Sequence, residues 1–192
     1  SHKSEDVEHE INKFMNIFNV NIEQVEIVRK RLNEVRSFAK EIDELTYIQN
    51  KATGFENHLY QVSFSDFNGN IDAFEADLKK VICDMKNKKP INKKLRLGYI
   101  GVPPITPDIY EFVEEFNANF VYNEVQREFA FPRADKALNI FQQYYDYTYP
   151  YDTQFRIKEL QKQIHERKLD AIIHYTQAFC YRSVEHIVLK EK

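Results

Sequence analysis

Through the first half of the chain apolar residues recur at every third or fourth position, the period of helices that each lay one face on a core. Residues 6–18 carry Val7, Ile11, Phe14, Met15 and Phe18 on one side. Residues 19–21 break that helix, and Asn21 is suited to cap the next. The second helix runs from residue 22 to about 50, roughly 40 Å at helical rise. Along it Val25, Val28, Leu32, Val35, Ala39 and Ile42 form a heptad-like seam. An amphipathic helix docked on its own domain accounts for the seam better than an intermolecular coiled coil, and such a helix can also space two halves of a larger protein. Thr53 and Gly54 end it. A short helix over 55–64 is predicted to turn Phe55, Leu59, Val62 and Tyr60 inward. After a turn at 65–70, a helix over 71–86 puts Phe74, Leu78, Val81, Ile82 and Met85 inside. Cys83 lies on this helix and reads as a small packing residue.

Past a polar linker at 87–94, which contains Pro90, the period changes. Residues 95–100 (LRLGYI) read as a strand, followed by a Gly-Val-Pro-Pro turn at 101–104. Thr106 as N-cap and Pro107 at the first helical position open a helix to Phe116. Residues 120–122 form a second strand, and 123–128 leave its carboxyl end. A helix is predicted from Ala134 to about Tyr144, then an aromatic run to Tyr151. Asp152 or Thr153 caps a helix to Arg167 whose inner face carries Ile157, Leu160 and Ile164. Residues 170–175 read as a buried third strand, running through a short loop into a helix that begins near Tyr181. Alternation of this kind argues for an α/β fold with a parallel sheet of about three strands and right-handed crossovers, short of at least one further strand. Residues 1–89 are then a helical lead-in with one long helix, and 95–192 a partial α/β lobe. The chain stops at Lys192 inside a helix with no Gly or Asn cap, so a piece of a longer protein is expected.

Composition narrows the function classes. The 192 residues carry 27 basic and 30 acidic side chains for a net charge of −3, and no basic face stands out, which argues against nucleic acid. The Lys pairs at 79–80, 88–89 and 93–94 read as solvated linker rather than an anion patch. Fifteen Phe and twelve Tyr need a core or pocket to occupy. Two distant Cys without a CxxC spacing argue against a disulfide scaffold and for a reducing compartment, and no signal peptide or membrane-length apolar run is visible. A cytoplasmic protein is expected.

Ligands gather at the carboxyl ends of parallel strands, so chemistry is sought there. The first strand end gives a rigid turn with one Gly, too few for a dinucleotide fingerprint. The second gives Glu124 and Arg127, read either as a mutual ion pair or as site residues. The third gives His174, Tyr175, Gln177 and Cys180 within DAIIHYTQAFCYR. A thiol facing the first turn of a helix sits where thiolate is favoured. Spacing leaves three readings open: a buried packing thiol, a catalytic thiol with His174, or one ligand of a metal site.

Four stretches carry a resemblance: LRLGYIGVPPI, FVYNEVQREFAFP, YYDYTYPYDTQFRIKELQKQI and ERKLDAIIHYTQAFCYR. They resemble the second half of the 2-hydroxyacyl-CoA dehydratase family, which also holds benzoyl-CoA reductase-type subunits and the double-cubane cluster proteins. GFENHLYQVSFSDFNG resembles that family's interdomain region. The resemblance implies two Rossmann-like lobes with an iron–sulfur cluster between them, 4Fe-4S or double-cubane, held by three Cys per subunit. Cys180 matches the ligand of the second lobe; the other two belong to the first lobe, and Cys83 matches neither. It implies an ATPase activator protein that delivers a single low-potential electron, a second cluster-bearing subunit or an identical one, and an acyl-CoA-type substrate. By position Glu124, Arg127, His174, Tyr175 and Gln177 line the cleft near the cluster. With one ligand this chain alone is expected to bind no cluster and to be inactive. A non-enzymatic α/β docking module with a buried thiol is the alternative.

Overall fold

The computed structural model describes residues 4–106, 108–147 and 153–191. Four helices come first: α1 (Ser4–Ile17), α2 (Ile22–Tyr47), α3 (Gly54–Ser63) and α4 (Ile71–Asn87). Their starts are written locally. Asn21 and Gln24 form a reciprocal capping box on α2, and Thr53 and Glu56 do the same on α3. Asn70 accepts from the Ala73 N–H at the start of α4. Val35, Ala39, Ile42 and Leu45 of α2 then bury against Phe74, Leu78, Ile82 and Met85 of α4. Phe64, Phe67 and Phe74 close one end of this core in mutual edge-to-face contacts.

The α/β part follows: β1 (Leu95–Gly101), α5 (Ile109–Glu115), β2 (Ala118–Asn123), α6 (Glu124–Phe129), α7 (Ile140–Tyr145), α8 (Thr153–Arg167), β3 (Ala171–Tyr175) and α9 (Glu185–Glu191). The strands are parallel in the order β2-β1-β3. Alternate residues of β1 serve opposite faces. Leu97 and Tyr99 pack with Tyr110 and Val113 of α5 and with Phe120. Ile100 packs with Tyr122 and with Leu160 of α8 on the other side. This is the expected α/β architecture, an open three-stranded parallel sheet preceded by long helices. No helix among the described residues is long and apolar enough to cross a membrane.

Several local expectations are corrected. The α2 seam holds from Leu32 onward, but Val28 is 56 % exposed. On α3 the buried face is polar: Asn57 and Gln61 face inward while Phe55 and Leu59 lie outside. Polar burial is offset there because both amide nitrogens find acceptors, Asn57 on Asp43 and Thr46 and Gln61 on the Ala39 carbonyl, while Gln61 Oε1 has no partner among the described residues. The helix after β1 starts at Ile109 rather than at Thr106, and Pro107 lies outside the described residues. The helix predicted from Ala134 is a 3-10 turn (Ala134–Lys136) followed by α7, which Asn139 caps. Of the aromatic run, 148–151 lie outside the described residues, as does the proposed cap Asp152. Cys83 is exposed, not packed. Finally β3 is only partly covered, with Ala171 and Ile172 exposed, since among the described residues it pairs on one side only.

Candidate functional site

Parallel strands bring Gly101, Asn123 and Tyr175 to one edge of the sheet. From β1 the chain crosses to α5 on one face, whereas β3 is reached through α8 on the other. The connections therefore part between β1 and β3, the place where open parallel sheets gather ligands in a crevice outside the carboxyl ends. Its floor is tight. Gly101 pairs with Tyr175, and a Cβ on Gly101 would stand 2.2 Å from the Tyr175 carbonyl oxygen.

Glu124 opens α6 at the end of β2 and is buried. Its Oε2 accepts from the Gly101 N–H at 2.9 Å. Arg156 of α8 holds the same carboxylate with two charge-assisted bonds, Nε to Oε1 at 2.6 Å and Nη2 to Oε2 at 2.7 Å. Its remaining arm, Nη1, reaches Glu185 Oε2 at 2.5 Å on the first turn of α9. Burial alone would lower the Arg156 pKa, but the two carboxylates raise it instead. Arg127 does not pair with Glu124. It turns away to Asp43 at 3.5 Å and Glu159 at 3.2 Å.

His174 and Tyr175 leave β3 on opposite faces. The Tyr175 ring stacks on Tyr99, centroids 6.2 Å apart. His174 Nδ1 lies 3.0 Å from Nδ1 of His186 on α9, so one ring donates to the other. Both line a cleft of about 190 Å3 between the sheet, α8 and α9, with Ile100, Ile157, Leu160 and Ile172. Burial first, and then the Arg156 charge and His186, lower the His174 pKa against the opposing pull of Glu124 and Glu185. A histidine so depressed stabilises the fold fully above its ordinary value, and that contribution is lost as pH falls through the lowered one. Amide exchange in β3 and α9 is therefore expected to speed up, beyond its intrinsic pH dependence, between pH 7.5 and about pH 5. Equal protection factors at both pH values would contradict the assignment.

Gln177 is exposed on the loop after β3. Its carbonyl accepts from the Cys180 N–H at 3.1 Å, and the Cys180 carbonyl accepts from Ser183 N–H at 2.9 Å. Cys180 is half-buried and precedes a 3-10 turn (Tyr181–Val184) rather than the first turn of an α-helix. Phe179 beside it has φ +63° and a fully exposed side chain. Among the described residues His174 and Cys180 form no hydrogen bond, and no three His, Cys, Asp or Glu side chains gather in a metal-binding group. Cys83 lies on α4, whose chain leads to the amino end of β1, away from this crevice.

Sequence reasoning missed Arg156, Glu185 and His186. A signal for the first existed. Arg156, Leu160, Gln163 and Arg167 follow helical spacing along one buried face of α8, so two guanidinium groups lie in core register. Glu185 and His186 carry no such signal, because α9 has no buried residue to define its inner face.

Comparison with known proteins yields a family. The family model described as 2-hydroxyglutaryl-CoA dehydratase, D-component, matches residues 4–192. No curated protein and no solved structure matches the chain. The match spans both the helical part and the sheet that presents Cys180 at its carboxyl edge, and the chain belongs to the 2-hydroxyglutaryl-CoA dehydratase D-component family.

Proposed function

We propose that this chain is the Cys180-bearing arm of an iron–sulfur-dependent 2-hydroxyacyl-CoA dehydratase-like or low-potential reductase subunit. The observation that carries this is Cys180, half-buried on the loop that follows the carboxyl end of β3. Family membership gives it chemical meaning. The donors present do not make a cluster site by themselves, since one thiol follows β3 and no metal-binding group of three forms among the described residues. Cys180 is proposed as one ligand, with the others supplied from outside this chain. Such a cluster, when bound, supplies a low-potential electron for an acyl-CoA-type substrate; an ATP-hydrolysing activator is the proposed donor, and a second cluster-bearing subunit or an identical one the proposed partner. Residues 1–89 then act as an interdomain spacer and 95–192 as the second lobe, in the reducing cytoplasm that a thiolate ligand requires.

The role of this chain's own residues follows from the geometry. Glu124 fixes the ends of β1 and β2 together, and Tyr175 on Tyr99 fixes β3 beside them. The loop that bears Cys180 springs from that platform. The test is iron and acid-labile sulfide content of the full-length protein after anaerobic purification, with Cys180→Ser alongside. Iron and sulfide present in the parent and lost in the variant are expected. Iron absent from both after reconstitution would overturn the reading and leave an α/β docking module.

A further inference from the structure

The loop from Thr176 to Val184 has two ends, and both are tied to the same buried carboxylate. At the near end, β3 finishes at Tyr175, paired with Gly101, whose N–H is held by Glu124. At the far end, Glu185 begins α9 and takes the third arm of Arg156, whose other two arms grip Glu124. Thr153 Oγ1 adds a bond to Glu185 Oε1 at 3.2 Å. Ahead of the loop and just beyond it, His174 and His186 meet directly. Within the loop, the turn bonds at Gln177 and Cys180 join backbone to backbone, and Phe179 projects into solvent.

The helix itself contributes little to this arrangement. α9 is seven residues long with no buried side chain, and Val184, Ile187 and Val188 are exposed. Its apolar seating rests on Leu189, half-buried against the Ile100, Tyr122 and Leu160 cluster. One such contact leaves the orientation of a short helix open, and a guanidinium with three arms in a fixed plane supplies direction as well as charge.

We propose that Arg156 and Glu185 are positioning residues for Cys180: the Glu124–Arg156–Glu185 chain seats α9 against the strand ends and so sets where the loop between them holds its thiol. This rests on the reading that Cys180 is the functional thiol, but it is measured on the thiol itself. Removing Glu185 takes away the α9 arm of Arg156 and the Thr153 bond but leaves the buried Arg156–Glu124 pair in place.

The experiment uses the apo form of the full-length protein in a Cys83→Ser background and follows iodoacetamide alkylation of Cys180 by peptide mass. Glu185→Ala is expected to accelerate alkylation about tenfold, as the local opening of α9 becomes cheaper. Hydrogen exchange should speed up in residues 176–191 and stay unchanged in β1 and β2. Glu185→Asp, still anionic, should return the rate most of the way to the parent value. An unchanged alkylation rate would overturn the proposal, and so would acceleration accompanied by equal loss of protection in β1 and β2, since that reports global unfolding. Should Glu185→Ala fail to fold, Arg156→Lys carries the same test, because it keeps one charge for Glu124 and loses the planar third arm. The two readings fail separately. Cys180→Ser with undiminished iron would remove the cluster role while leaving the alkylation result standing.

Discussion

Arg167→Leu is expected to destabilise the protein by about 3–5 kcal/mol, the largest loss expected for any single charge among the described residues, because it leaves a buried carboxylate without its main partner. Arg167 is 2 % exposed at the end of α8. Its Nη1 and Nη2 take both oxygens of Asp43 on α2, at 2.8 and 2.5 Å, and Nη1 also donates to the Val121 carbonyl at 2.8 Å. Nε reaches Gln163 at 2.6 Å, and the guanidinium lies 4.2 Å from the Tyr47 ring centre. Each of the three nitrogens is thus engaged, and the flat face is covered as well. Asp43 in turn accepts from Asn57 at 3.2 Å, Asn57 accepts from Asn123 at 2.9 Å, and Asn123 accepts from the Tyr110 hydroxyl at 2.8 Å. One polar chain therefore runs from α8 through α2 and α3 to β2 and α5.

The electrostatic sign gives this prediction a second reading. Burial pushes the Asp43 carboxyl up, but the charge and hydrogen bonds of Arg167, with Arg127 and Asn57, together hold the group below its ordinary value of 3.8. Asp43 therefore contributes stability above that value, and the contribution is lost as pH falls through the lowered one. In Arg167→Leu, Arg127, 3.5 Å from Asp43 Oδ2, and the Asn57 amide remain to oppose burial. The acid loss of stability assigned to Asp43 should shrink in the variant, read as a flatter plot of urea midpoint against pH below about pH 5. Replacing Asp43 and Arg167 together by leucines should recover much of the loss, since an apolar pair of similar volume avoids the desolvation cost. If the single variant lost less than about 1 kcal/mol, the network would be ornamental to stability.

That network also marks where reading the sequence runs out. The helical lead-in and the alternation from Leu95 onward were legible, because a hydrophobic period survives without knowledge of partners. Cys180 was legible as a position, because a strand followed by a loop puts it at a sheet edge. The inner face of α3 was not. Phe55 and Leu59 are the apolar choice, yet Asn57 and Gln61 are buried, because their partners Asp43, Thr46 and Ala39 sit on another helix. Local pattern cannot price a buried amide whose acceptor lies elsewhere in the chain. The same holds for Glu124. Its spacing from Arg127 suggested a pair, but the true partner is Arg156, and Arg127 is drawn to Asp43 instead. Charge pairing across a fold is decided by packing, which sequence spacing does not carry.

Gly101→Ala is expected to cost about 3 kcal/mol or more, beyond what its backbone angle alone explains. Gly101 has φ +104°, a region that residues with a Cβ rarely enter. A methyl there would stand 2.2 Å from the Tyr175 carbonyl oxygen and 3.2 Å from its carbonyl carbon, and both are backbone that no rotamer change can move. Gly69 provides the control. It has φ +74° and open space within 4 Å of where a methyl would stand, so Gly69→Ala carries backbone strain alone, about 1 kcal/mol. The difference between the two urea midpoints isolates the clash between the ends of β1 and β3. Relief of that clash must part Gly101 from Tyr175, which also strains the Gly101 N–H bond to Glu124 and tilts the root of the Cys180 loop. Exchange at residues 174–177 should therefore rise more than in the helical core. On the proposed reading the full-length protein should lose iron although Cys180 is intact. Equal midpoints for the two alanine variants would show that the strand ends have room to spare, and that the crevice is not built on their close approach.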